Sequence, residues 1–139
     1  MSAAIDTSVL VAAIVATESH HEICDRLLDR EELSIYAHGP AETFSTLTGG
    51  RRNFRMPAAL AASLIEDDYL PCLKVTTLSP TQMLQAMRAA ESRGVRGGAL
   101  FDFLHLVAAR QARATRLYTL NISNFLSFHR NGDPEIVHP

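Results

Sequence analysis

Short apolar runs alternate with amphipathic stretches along the whole chain. Ala3-Ala4-Ile5 ends in Asp6-Thr7-Ser8, the pattern of a buried strand feeding a helix capped by a short polar side chain. That helix is expected from Val9 to about Ala16. Ile23, Leu27 and Leu28 form the inward stripe of a second helix over residues 20–29. Glu18, Glu22, Asp25, Asp29 and Glu32 recur at alternating four- and three-residue steps, which predicts a ridge of carboxylates along one solvated helix edge. Residues 33–37 alternate and hold branched and aromatic side chains, so they read as a strand. Gly39-Pro40 opens a helix, with proline where its missing N–H costs nothing. Glu42 lies in its first turn, Phe44 and Leu47 on its apolar stripe, and Gly49-Gly50 stop it.

Pro57 starts another helix, to about Asp68, and residues 73–78 form the next strand. Ser79-Pro80 repeats the cap-then-proline signal for a helix that runs to about Arg93. Gly94 and Gly97-Gly98 break the chain before its most apolar helical segment, residues 99–114. Residues 117–120 predict a short strand ending at Asn121, followed by a turn around Asn124-Phe125 and an edge strand over residues 135–137. Strands alternating with helices predict an α/β fold, a three-layer α/β/α sandwich on a mostly parallel four- or five-stranded sheet with right-handed crossovers.

The 139 residues are read as a single domain, and 47% apolar with 20% charged residues excludes disorder, collagen-like repeats and a disulfide scaffold. Thirteen Lys+Arg against fifteen Asp+Glu give a net charge of -2, so any nucleic-acid site must be local. Lys74 is the sole lysine; arginine is the cation whose fork suits phosphate or carboxylate. Cys24 and Cys72 match no zinc or disulfide pattern, which points to the cytoplasm. The uncharged stretch over residues 7–17 falls short of the ~20 residues of a membrane helix, so no membrane association is expected. Asp6 and the lack of a preceding basic region argue against a signal peptide.

In an open parallel sheet, functional groups gather beyond the carboxyl ends of the strands. Asp6, Glu42, Asp102 and Asn121 all fall there. Asp102 is set among Leu100, Phe101, Phe103, Leu104, Leu106 and Val107, where a lone ionised acid costs several kcal/mol unless paired or metal-bound. Individually, Asp6 reads equally as a helix cap, Glu42 as a complement to a helix dipole, and Asp102 as a cap or an arginine partner. Together, three carboxylates repel one another without a counter-ion. An all-oxygen set suits magnesium, or manganese in its place, rather than zinc.

Asp6-Thr7-Ser8, Ala41-Glu42, the run from Phe101-Asp102 to Ala108-Ala109, and Thr119-Leu120-Asn121-Ile122-Ser123-Asn124-Phe125 resemble, in order and spacing, the four acidic motifs of PIN domains, and most of all the VapC-like toxins. The resemblance implies a magnesium-dependent endoribonuclease, homodimeric and neutralised by a cognate VapB-like antitoxin. Asp6, Glu42 and Asp102 match acidic positions of the family. At the fourth motif the family often carries aspartate where this chain has Asn121 and Asn124; an amide brings no charge and cannot act as a general base, which leaves one or two metal ions open. On this reading an RNA phosphodiester is hydrolysed by water activated at the metal, with a 3'-hydroxyl leaving group. Asp6 and Asp102 would hold the ion, Glu42 would complete the site or orient the water, and Ser8, Thr119 and Asn121 would support them by hydrogen bonds.

Arg51, Arg52 and Arg55 form the best local patch for RNA phosphates, with Arg93 and Arg96 as second candidates. His105, one turn beyond Asp102, reads as a packed core histidine that could also support the acids. His20, His21 and His129 are expected on the surface. Two other functions compete: a receiver-type phosphotransfer domain, which would want a lysine late in the sheet where Lys74 opens an earlier strand, and a catalytically inactive PIN-like module that binds RNA or protein.

Overall fold

In the computed structural model, which describes residues 2–49 and 55–139, five parallel strands form one sheet. They are β1 (Ala3–Ile5), β2 (Leu33–Tyr36), β3 (Leu73–Thr76), β4 (Arg116–Tyr118) and β5 (Glu135–Val137). Their spatial order is β3-β2-β1-β4-β5, so β1 is central and the direction of winding reverses there. This order also separates the chain from receiver domains, whose order is 2-1-3-4-5. Ile5 is level with Ile35 of β2 and Tyr118 of β4.

Alternation along each strand divides the side chains between two helical layers. Ala3, Ile5, Leu33, Ile35 and Leu73 pack with Val9 and Leu10 of α1 (Thr7–Ile14) and Cys24, Leu27 and Leu28 of α2 (His21–Arg30). Ala4, Tyr36 and Leu117 face the other way, against helices met later in the chain. There α5 (Pro80–Ala89) brings Ala86, and α6 (Ala99–Gln111) brings Phe103, Leu104 and Leu106. Between them, α3 (Gly39–Thr48) and α4 (Ala58–Ser63) close the outer side of α1 through Leu47 and Ala61. Each fully buried leucine or isoleucine is worth roughly 1.5–3 kcal/mol.

The predicted starts of α3 and α5 are observed, the latter with a reciprocal Ser79–Gln82 capping box. Three expectations are corrected. The acidic ridge is shorter, because the turn before α2 and the extended backbone at Glu31 leave only Glu22, Asp25 and Asp29 on that helix. The helix expected up to Asp68 leaves α geometry at Leu64 and widens into a π-helical stretch, Leu64–Tyr69. The turn expected around Asn124 is a helix, α7 (Ile122–Phe128), which buries Phe125 and Phe128. Phe128 meets Phe103 edge-on at 5.5 Å between ring centres. No helix among the described residues is long and apolar enough to cross a membrane.

Candidate active site

The carboxyl ends of the two central strands supply the floor of a cavity of about 340 Å³. Asp6 immediately follows β1 and caps α1; it is 2% exposed. Its Oδ1 accepts from the Ser8 hydroxyl and from the Val9 N–H at 3.3 Å, and its Oδ2 accepts from the Thr119 hydroxyl at 2.7 Å. Ser8 in turn accepts from the Leu120 N–H, and Thr119 from the Asn121 N–H. The β1 and β4 ends are thus stitched together beneath one carboxylate. A carboxylate has about four lone-pair sites, and three are taken, leaving one on Oδ2.

Glu42 reaches the same cavity from the first turn of α3. That helix starts very close to β2: a Cβ on Gly39 would meet the Ile35 side chain at 2.5 Å, so only glycine permits this approach. Glu42 Oε1 accepts from the Thr7 hydroxyl at 2.9 Å and lies 2.7 Å from His105 Nε2. Asp102 enters from the first turn of α6 and Asn121 from the N-cap of α7. The four expected residues therefore line one cavity, with Ser8 among them, and buried Thr119 beneath.

Electrostatically the site is overloaded with negative charge. Burial pushes the Asp6 carboxyl above its ordinary value, against the opposing effects of His105, Ser8 and Thr119. Burial does the same to Asp102, and the charges of Asp6 and Glu42 push it further. Glu42 goes the other way: burial raises it, but the His105 hydrogen bond and charge, with Thr7 and His38, hold it below the usual carboxylate range. Glu18 adds a fourth acid to the wall, and His20 is the one described lining residue able to carry a positive charge. Among the described residues no three His, Cys, Asp or Glu side chains come close enough to share one ion directly. This donor set fits a magnesium-like ion, which keeps several waters and takes only one or two carboxylates directly.

Sequence reasoning missed part of this wall. Thr7, Thr46 and the Glu18-Ser19-His20 turn also line the cavity. Glu18 was expected on a helix edge, and His20, exposed as expected, faces the cavity; no periodic signal reveals that the α1–α2 turn folds back over the strand ends. His105 is only 3% exposed. Of the arginines, Arg51 and Arg52 lie outside the described residues, and Arg55 is exposed and absent from the cavity wall. Arg93 is corrected as a phosphate candidate, because both its terminal nitrogens are engaged by Asp133.

Comparison with known proteins places the chain by sequence and by fold. Residues 3–126 match the sequence model of the PIN domain. Ribonuclease VapC27 of Mycobacterium tuberculosis is 29% identical over 111 residues, covering 80% of this chain and 79% of that protein. The fold is shared with the crystal structure of the same organism's VapC20, a sarcin-ricin loop cleaving toxin, at a TM-score of 0.71 and 19% identity over 95% of this chain and 99% of the other. It is shared too with VapBC2 of Rickettsia felis bound to a promoter DNA fragment, at a TM-score of 0.69 and 18% identity over 100% and 99%.

Proposed function

The chain belongs to the PIN domain family, and from that premise we propose that it is a divalent-metal-dependent endoribonuclease, the toxin of a VapBC-type toxin–antitoxin pair. The observation that carries the reading is the convergence of Asp6, Glu42, Asp102 and Asn121, from four separate segments, on one cavity with too much negative charge to be self-sufficient. The relatives named above, a ribonuclease, a cleaving toxin and a VapBC assembly, support the same class.

Asp6, through the free lone pair of Oδ2, and Asp102 would hold the ion, magnesium or manganese. A bound divalent ion makes water a stronger nucleophile near neutral pH and offsets charge building on the phosphate. Ser8 and Thr119 keep the Asp6 carboxylate from rotating. Glu42 orients the attacking water in line with the departing 3'-oxygen. Asn121, at the α7 N-cap, offers an amide to hydrogen-bond water or substrate without adding charge. Arg51, Arg52 and Arg55, following α3 in the chain, contact the RNA backbone. The protein acts in the cytoplasm as a homodimer and is silenced by a VapB-like antitoxin.

Purified protein incubated with single-stranded and structured RNA should cut in magnesium or manganese and stop cutting in EDTA. RNA that is bound but left intact under every metal condition would replace this reading with that of an inactive binding module, for which Asn121 and Asn124 in the fourth motif would then account.

A further inference from the structure

We propose that His105 is the positioning residue for Glu42: with Thr7 it grips Oε1 and thereby dedicates Oε2 to the attacking water. This deepens, and rests on, the nuclease reading of the cavity. Both described donors converge on the same oxygen, the Thr7 hydroxyl at 2.9 Å and His105 Nε2 at 2.7 Å, with Nε2 and the hydroxyl 3.3 Å apart. The Thr7 proton is spent on Glu42, so the hydrogen between His105 and Glu42 must sit on Nε2; a bare lone pair facing a carboxylate oxygen at that distance would repel it.

Beyond Glu42 and the Thr7 hydroxyl, the ring makes no polar contact among the described residues. Buried Nδ1 has no hydrogen-bond partner among the described residues. A histidine kept for packing alone would be better replaced by an apolar side chain, which would bury no unsatisfied nitrogen. Tyr36 fixes the ring plane from the side, edge-on with centroids 5.6 Å apart. Gly39 lies beside the ring, where a Cβ would stand in ordinary contact with His105 Cε1 at 3.5 Å. Because Asp102 and His105 are one turn apart on α6, the helix that delivers one cavity acid also clamps another.

The test compares His105→Leu, which keeps apolar volume, with His105→Gln, which keeps an N–H donor at similar reach. Positioning predicts that the leucine variant still folds yet loses about 10–100-fold in kcat per folded molecule with KM little changed, and that glutamine recovers most of the loss. A leucine variant cutting at the wild-type kcat overturns the proposal. Should both variants fail to fold, Thr7→Val against Thr7→Ser asks the same question of the second donor. Nitrogen-15 NMR of the intact protein reads the hydrogen directly. Nε2–H in the wild type, exchanging faster in Glu42→Ala, supports the grip, and hydrogen on Nδ1 alone refutes it. The NMR outcome is independent of cleavage, so a wild-type protein that cuts no RNA would sink the nuclease reading and leave the grip separately decided.

Discussion

Asp6 and Asp133 are two carboxylates with little side-chain exposure and opposite surroundings. The Asp133 side chain, 2% exposed, takes both terminal nitrogens of Arg93, accepts from the Arg130 N–H at 2.9 Å and has Arg110 within 3.5 Å. Arg93 also donates to the Phe128 carbonyl and lies over the Phe103 ring, so the clasp ties the loop after α7 to the helical layer. Burial pushes Asp133 up, but Arg93, the Arg130 backbone and Arg110 bring it below its ordinary value. Asp6 receives two hydroxyls and one backbone N–H, no arginine, and is driven up. One acid has its counter-charge built in. The other is held firmly in place by neutral donors, with His105 only partly opposing the rise, as the ion site proposed above requires.

Replacing each acid by its amide should break the comparison in opposite directions. Asp6→Asn removes the carboxylate proposed to hold the ion, so cleavage should fall by on the order of 10³-fold, several kcal/mol of transition-state stabilisation. The same variant should melt roughly 2–5 °C above the wild type, since it relieves an uncompensated buried charge. Scanning calorimetry beside an RNA-cleavage assay checks both, and a variant that is active or melts lower contradicts the picture. Asp133→Asn should do the reverse, costing about 2–4 kcal/mol by stranding Arg93 while the rate per folded molecule stays put. Urea unfolding together with active-site titration would show this.

The smallest effect is on pH dependence. A raised folded pKa means that the native protein binds the Asp6 proton more tightly than the unfolded chain, whose value is near 3.8. Stability should therefore fall as pH rises from there through the raised value, and Asp6→Asn should flatten that slope. Asp133 has a lowered folded pKa, so its contribution is complete above about 3.8 and drains away as pH falls through the folded value. Asp133→Asn should remove that acid limb. Urea midpoints taken stepwise from about pH 3 to about pH 7 test the two signs in one series.

Much of this was legible in local patterns. Strand ends followed by short polar residues located Asp6 and Asn121, proline after a cap located the start of α5, and a carboxylate inside an apolar helix marked Asp102. These signals survive because they are properties of a few consecutive residues. What stayed hidden was set by packing between distant segments. Ile122, Phe125 and Phe128 at three-residue steps are a helical stripe, but so brief that only burial against Phe103 distinguishes it from a turn. The contrast between Asp133 and Asp6 was equally invisible, because it depends on which arginine arrives from elsewhere in the chain. Arg93 looked available for phosphate in the sequence and is committed in the structure.

The placement of β1 in the middle of the sheet has a consequence for synthesis. Its left-hand neighbour, β2, is the next strand to be made, but its right-hand neighbour, β4, follows only after β3, and the Thr119 hydroxyl that steadies Asp6 is 113 positions downstream of it. A nascent polypeptide that has reached β3 has already emitted Asp6 and Glu42, yet holds neither Asp102 nor the strand that shuts the floor. The four residues of the cavity can therefore meet only after α6, β4 and the start of α7 have all been made.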